Sequence, residues 1–225
     1  MNSGPRRRSG NHINDGGKTP IRLRKFTSLA VAIDLLRNKR IVLVDPRNWV
    51  DRNDIAYLQE YKRRKALKSL ALTCFTTKVE QYHHWKSFAD GTDGVCIHFH
   101  AKPLIDHVAR QSGFRGGLVT YRRNTEKENW TPKTGEIPFL KRLAYRDEGE
   151  YRILFEDKEQ VHETKPLPLD LSYVSRIVIS PRLAEGLFPA VKEQLASIAP
   201  DARIPITQSS ILDSVLWRNR LGKIE

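Results

Sequence analysis

The chain has two cysteines, Cys74 and Cys96, and a single methionine in 225 residues. Two thiols are too few for a disulfide framework, so the sequence predicts buried, reduced cysteines in a cytoplasmic protein. Long apolar runs are also missing. No stretch approaches the roughly 20 residues that span a bilayer, and the N-terminal region lacks the apolar centre of a secretory signal. These absences argue against membrane association and export. There is no helix-turn-helix, finger or single-strand-binding signature, and no internal repeat. Acidic residues are few beside basic ones, 26 Asp and Glu against 39 Lys and Arg, for a formal charge of +13. That surplus draws polyanions and phosphate-bearing ligands by long-range attraction. Alone, it does not distinguish a nucleic-acid track from a solvated basic surface.

Residues 1–20 combine Gly, Ser, Asn and Arg6-Arg7-Arg8 with almost nothing apolar, which predicts a disordered basic arm. Residues 21–225 are long enough for one large core, and no polar linker divides them, so a single domain is expected. Leu23–Ser28 reads as a strand whose Thr27-Ser28 end caps a helix, and Ile41–Val44 as a strand stopped by Asp45-Pro46. The reading continues with a basic exposed helix over 56–69, a strand over 71–76, a short helix over 81–89 and a strand over 95–99. A helix over 103–111, a strand over 117–121, a polar loop with Glu126, Glu128 and Trp130, and a helix over 137–143 come next. The Glu148–Phe155 segment is a strand, as is 174–179. Finally come a helix over 183–197 and late strands over 204–206 and 211–216. The mixed order predicts an α+β fold with a mainly antiparallel sheet and flanking helices.

Chemistry concentrates at Glu148-Gly149-Glu150-Tyr151-Arg152. On a strand, alternate residues share a face, so Glu148, Glu150 and Arg152 are expected to point the same way, either as a site or as solvated residues of an exposed strand. Cys96, His98 and His100 alternate along another predicted strand, with His83, His84 and His107 near in sequence. That spacing is unlike the usual zinc pairs, so no metal is expected. Gly16-Gly17-Lys18-Thr19 resembles the end of a phosphate-binding loop, but His12 stands where the first glycine belongs and no strand precedes it. Trp49, Trp85, Trp130 and Trp217 can stack on bases or a nicotinamide ring, although large aromatics are mainly core material. Of the four, Trp85 is the candidate for cofactor contact.

Five segments together resemble the bacterial family called domain of unknown function 2971 (DUF2971). They are Leu23–Leu29; Asp45-Pro46 through Trp49 to Asp54; Cys74-Phe75-Thr76; Trp85–Asp90 with Gly94–Phe99; and Lys141, Tyr145, Glu148, Glu150 and Arg152 at the family's spacing. Ser87 and Tyr145 depart from the family pattern, which has His and Trp there. More distantly, the chain resembles ADP-ribosyltransferases, whose order is a His or Arg on a first strand, a Ser or Thr on a middle strand and a late Glu-x-Glu. This resemblance implies an enzyme that uses NAD as substrate to modify a nucleic acid or a protein, as a toxin or anti-phage defence effector. It implies Glu150 and Glu148 as catalytic residues, with Arg24, Lys25, Thr27, Thr76, Trp85 and Arg152 around the NAD. A nucleic-acid acceptor and a regulatory protein are the implied partners. The alternative is a non-enzymatic binding module in which Glu148, Glu150 and Arg152 form a structural charge network. The oligomeric state is left open.

Overall fold

The computed structural model describes residues 20–123 and 130–221. The predicted arm, apart from its last residue, lies outside the described residues, as do Glu126 and Glu128. The chain runs β1 (Arg22–Ser28), α1 (Leu29–Asn38), β2 (Arg40–Val44), α2 (Arg52–Arg64), β3 (Ser69–Thr76), α3 (Tyr82–Phe88), β4 (Gly94–His100) and α4 (Ala101–Ala109). It continues with β5 (Phe114–Leu118), β6 (Thr120–Arg122), β7 (Leu140–Arg142), β8 (Glu150–Asp157), β9 (Thr164–Pro168), β10 (Val174–Ile179), α5 (Phe188–Ile198), β11 (Ile206–Gln208) and α6 (Val215–Arg218).

Local chemistry sets several of these boundaries. Ser28 is extended, and its hydroxyl accepts from the Val31 amide to start α1, which ends at Lys39 in the left-handed region with φ 49°. Asp51 starts α2 by accepting from the Asn53 and Asp54 amides. This helix therefore begins earlier than the basic run suggested, and it is not simply exposed, since Asp54, Leu58 and Tyr61 are buried.

Among the described residues nine strands form one sheet in the order β11-β10-β4-β1-β3-β2-β9, with β8 also on β3 and β5 on β8. Only the β10 and β11 pair is parallel within this sheet, and β6 and β7 form a separate parallel pair. The predicted α+β class and mainly antiparallel sheet are therefore observed. β3 is the branch point. β8 pairs along its whole length, from Ser69 opposite Asp157 to Thr76 opposite Glu150. Its remaining edge is shared by β1, at Arg24 opposite Thr76, and β2, at Val44 opposite Leu72.

The two faces of the sheet differ. One carries Leu23, Phe75, Ile97, Phe99, Tyr151 and Ile153, and α1, α4 and α5 cover it with Leu35, Leu104 and Leu195 to make the main core. On the other face α2 packs Leu58 and Tyr61 on Leu70, Leu72 and Leu154, while α3 packs Trp85 on Phe26, Cys96 and Val178. A polar band separates these two apolar patches.

Several expected elements differ. The predicted helix over 137–143 is a 3-10 helix at Thr134–Phe139 followed by β7, because Pro138 has no amide to continue an α-helical ladder. The predicted strand over 211–216 is absent, and the short α6 lies at Val215–Arg218. β9 carries Pro166 and Pro168, which mask its strand character in sequence, and it is tolerated at the end of the sheet path beside β2.

Candidate active site

Alternation along each strand, combined with the observed register, decides which candidates meet. Arg176, His98, Arg24, Thr76 and Glu150 lie directly opposite one another on β10, β4, β1, β3 and β8. Residues directly opposite in antiparallel pairs share a face, so these five form one row across the polar face. Lys25 and Thr27 fall on the opposite face. Lys25 Nζ donates to Thr73 Oγ1 at 2.7 Å and lies 5.8 Å from the Phe75 ring centroid, on the core side. Burial lowers its pKa. The structure thus brings Arg24, Thr76 and Glu150 together and leaves Lys25 and Thr27 out.

Glu148 and Glu150 are not neighbours on one strand face, contrary to the expectation from alternation. Glu148 ends a 3-10 turn and Gly149 turns the chain at φ 51°, so β8 begins only at Glu150. A side chain at Gly149 would be strained in that left-handed conformation, and its Cβ would lie 2.6 Å from Lys78 Cγ. Lys141 rejoins the two acids, with Nζ 2.5 Å from Glu148 Oε2 and 3.3 Å from Glu150 Oε2. Thr76 Oγ1 donates to the Glu148 carbonyl at 2.5 Å and accepts from the Lys78 amide at 3.0 Å. Thr76 therefore holds the turn that presents Glu148.

Beneath them, Arg152 is fully buried. Its Nε and Nη2 donate to the two oxygens of Glu150 at 2.7 and 3.0 Å. Nη1 and Nη2 reach the two oxygens of Asp54 at 2.9 and 2.5 Å, and Nη1 also donates to the Pro138 carbonyl at 2.9 Å. All five guanidinium donors are used. Asp54 is a member that reasoning from strand alternation missed, although it closes the Asp45–Asp54 segment on which the family resemblance rests. Tyr121, whose hydroxyl accepts from the Glu150 amide at 2.8 Å, gave no signal. Tyr145, which departs from the family pattern, has its ring centroid 4.8 Å from Lys141 Nζ.

The electrostatics separate the acids. Burial pushes the Asp54 and Glu148 pKa values up, against the pull of Arg152 and Lys141 respectively. Burial acts on Glu150 in the same direction, but Arg152, reinforced by Lys141, outweighs it and holds Glu150 below the ordinary carboxylate value. Burial raises the Cys74 pKa, and Glu150 adds to the effect, so this thiol is not an activated nucleophile.

Trp85 is fully buried, and its indole nitrogen donates to Glu80 at 2.6 Å. It meets Phe26 edge to face at 5.1 Å. It anchors α3 to the sheet and has no face free for a ligand. A cavity of about 210 Å³ reaches the charge network through Asp54 and Lys141, and Tyr57, Trp130, Arg122, Arg123 and Arg142 also line it. Arg122 stacks over the Trp130 ring at 4.2 Å. Among the described residues no group of three or more His, Cys, Asp or Glu is placed to hold a metal ion, and no helix is long and apolar enough to cross a membrane.

No family model and no curated protein sequence matches the chain, so the resemblance to DUF2971 gains no support from either comparison. Among solved structures, "Thermus sp. 2.9 DarT in complex with ADP-ribosylated ssDNA" matches with a TM-score of 0.43 at 12% identity, covering 85% of this chain and 95% of that one. "Thermus sp. 2.9 DarT in complex with NAD+" gives the same score and identity over 85% and 96%. The carba-NAD+ complex of that protein gives 0.42 at 10% identity over 86% and 97%. At such identity and score the likeness decides nothing about the chemistry of this chain.

Proposed function

We propose that the chain is an ADP-ribosyltransferase-type enzyme that takes NAD as substrate and transfers ADP-ribose to a nucleic-acid or protein acceptor. The supporting observation is the register that sets Arg24, Thr76 and Glu150 opposite one another on three adjacent strands. In the reaction the nicotinamide leaves the ribose with the bonding electron pair, positive charge builds on the sugar, and the acceptor bonds to that carbon as it gives up a proton. Glu150, kept ionised by Arg152, supplies fixed negative charge for the oxocarbenium-like state. Glu148, whose pKa is raised, suits the acceptor's proton. Arg24 binds phosphate or a ribose hydroxyl, and Thr76 acts through the Glu148 turn as a positioning residue. The cavity beside Lys141, with its aromatic rings and arginines, suits an acceptor nucleotide.

One observation favours the non-enzymatic reading. Glu150 is 5% exposed and Arg152 has no donor left over, as in a purely structural network. The two readings separate on turnover per folded molecule. Wild type should consume NAD, with water as acceptor if no other is present. Glu150→Gln should lower that rate roughly a hundredfold or more, measured well below its melting temperature. Unchanged turnover in folded Glu150→Gln, or no NAD consumption by wild type, would leave the network structural.

A further inference from the structure

The other half of the polar row is rich in donors and has little negative charge to meet them. Arg24 anchors Nη1 on the carbonyls of Lys78, at 2.6 Å, and Thr77, at 3.4 Å, while its Nε is buried without a partner among the described residues. His98, directly opposite on β4, is 4% exposed, and its Nε2 has no partner among the described residues. Arg176, next on β10, is exposed. From α3, fully buried His84 has no side-chain partner for its ring nitrogens among the described residues, only the Asp147 backbone acting on the ring, and His83 Nε2 beside it is unpartnered there too. The His83 and His84 ring centroids are 4.3 Å apart, and His84 packs on Phe26 at 5.1 Å.

Each such orphan is costly to the fold, so a group of them in one place points to an absent partner. None of Arg22, Arg24 and Arg176 joins an ion pair among the described residues. Glu80, the carboxylate that acts on Arg24, already accepts from Trp85 and Ser209. An acceptor-only, negatively charged group fits donors of this kind.

We propose that Arg24, His98 and Arg176, together with His84 from α3, form an oxyanion site for the phosphate groups of a ligand. Strands about 4.8 Å apart put Arg24 two strands from Glu150, so a nucleoside diphosphate held here directs its sugar toward Thr76 and Glu150. The anion site itself stands whether or not Glu150 performs chemistry. Burial first, then His83, lowers the His84 pKa to about 4 against the opposing pull of the Asp147 backbone, with Arg24 adding to the lowering. Burial, then Arg176, Arg24 and Arg22, lowers that of His98 to about 3. Both rings are neutral near pH 7, and an arriving anion favours their protonated forms, so binding takes up protons and tightens as pH falls.

The probe is inorganic pyrophosphate, titrated calorimetrically into the full chain. The expected result is saturable binding that Arg176→Gln and His98→Gln each weaken about tenfold or more, a loss of about 1.4 kcal/mol, while Arg63→Gln in the exposed basic cluster of α2 leaves it unchanged. Arg176 is exposed, so its variant remains informative if His98→Gln does not fold. Sulfate, which keeps its double charge at mildly acid pH, should bind more tightly at pH 5.5 than at pH 7.5. No binding at millimolar pyrophosphate, or equal weakening by Arg63→Gln, would overturn the site and leave water or a diffuse basic surface in its place. Pyrophosphate binding without NAD consumption keeps this inference and removes the enzymatic reading, and the reverse outcome does the opposite.

Discussion

The two faces of the central sheet solve the problem of burial in different ways. On the core face Leu23, Phe75, Ile97 and Ile153 meet the apolar sides of three helices, and Lys25, a neutralisable amine on that face, leans on Thr73. On the other face two helices cover separate apolar patches, and the ground between them holds Arg152, Asp54, Glu150, Thr76, Arg24 and His98. A purely structural second face has a simpler solution in hydrophobic residues, which often match or exceed a buried ion network in stability. The polar band is itself divided. Around Arg152 every donor has a partner, whereas around Arg24 and His98 several have none among the described residues.

The largest effect expected from this contrast is at Arg152. Arg152→Met leaves the buried carboxylates of Asp54 and Glu150 with Lys141 as their one remaining cation, 3.9 and 3.3 Å away, and should lower stability by about 3–5 kcal/mol in denaturant unfolding. Adding Asp54→Leu and Glu150→Leu should recover most of that loss, because the charges are then gone. A single variant as stable as wild type would show that the network carries no structural weight.

The pH dependence of stability tests the unsatisfied half. In the unfolded chain histidines protonate near pH 6.5, while folded His84 and His98 remain neutral down to about 4 and about 3. Between these values the unfolded state binds more protons, so stability falls as pH drops from 7 to 5. Asp54 and Glu148, with raised pKa values, act in the opposite sense, at the acid end of the range. The denaturant midpoint should fall over that window, and His84→Gln with His98→Gln should flatten the slope. A slope unchanged by the double substitution would place both rings in contact with water.

The smallest effect lies on the core face. Burial lowers the Lys25 pKa, so its charged form is a cost to the fold, and Lys25→Met should raise stability by about 1 kcal/mol. A clear loss of stability would mean that Lys25 has a role its contacts do not reveal.

Much of the architecture follows from short-range pattern. β1, β2, β3, β4, β8 and β10 fall on apolar runs bounded by Ser28, Asp45-Pro46, Asp93-Gly94 and Ser180-Pro181, and these boundaries are set by capping and backbone restriction near in sequence. The Glu148–Arg152 segment was identifiable by its acids, but its geometry was not. Gly149 in the left-handed region breaks the alternation that placed Glu148 and Glu150 on one strand, and whether a glycine turns or extends is decided by its surroundings. The Trp85 ring was equally ambiguous, because an indole near a site and an indole in a core have the same composition.

The sequence by itself determined the α+β class, the basic surface and the residue types available for chemistry, because these depend on composition and on periods of two and about 3.6 residues. Only the tertiary structure decided that Arg24 and not Lys25 shares a row with Thr76 and Glu150. That outcome depends on how β1 and β8 register on β3, across more than 50 residues of chain in one case and more than 70 in the other. A one-residue slip of β1 would exchange the two cations between faces, and the local sequence carries no term that fixes pairing at that distance.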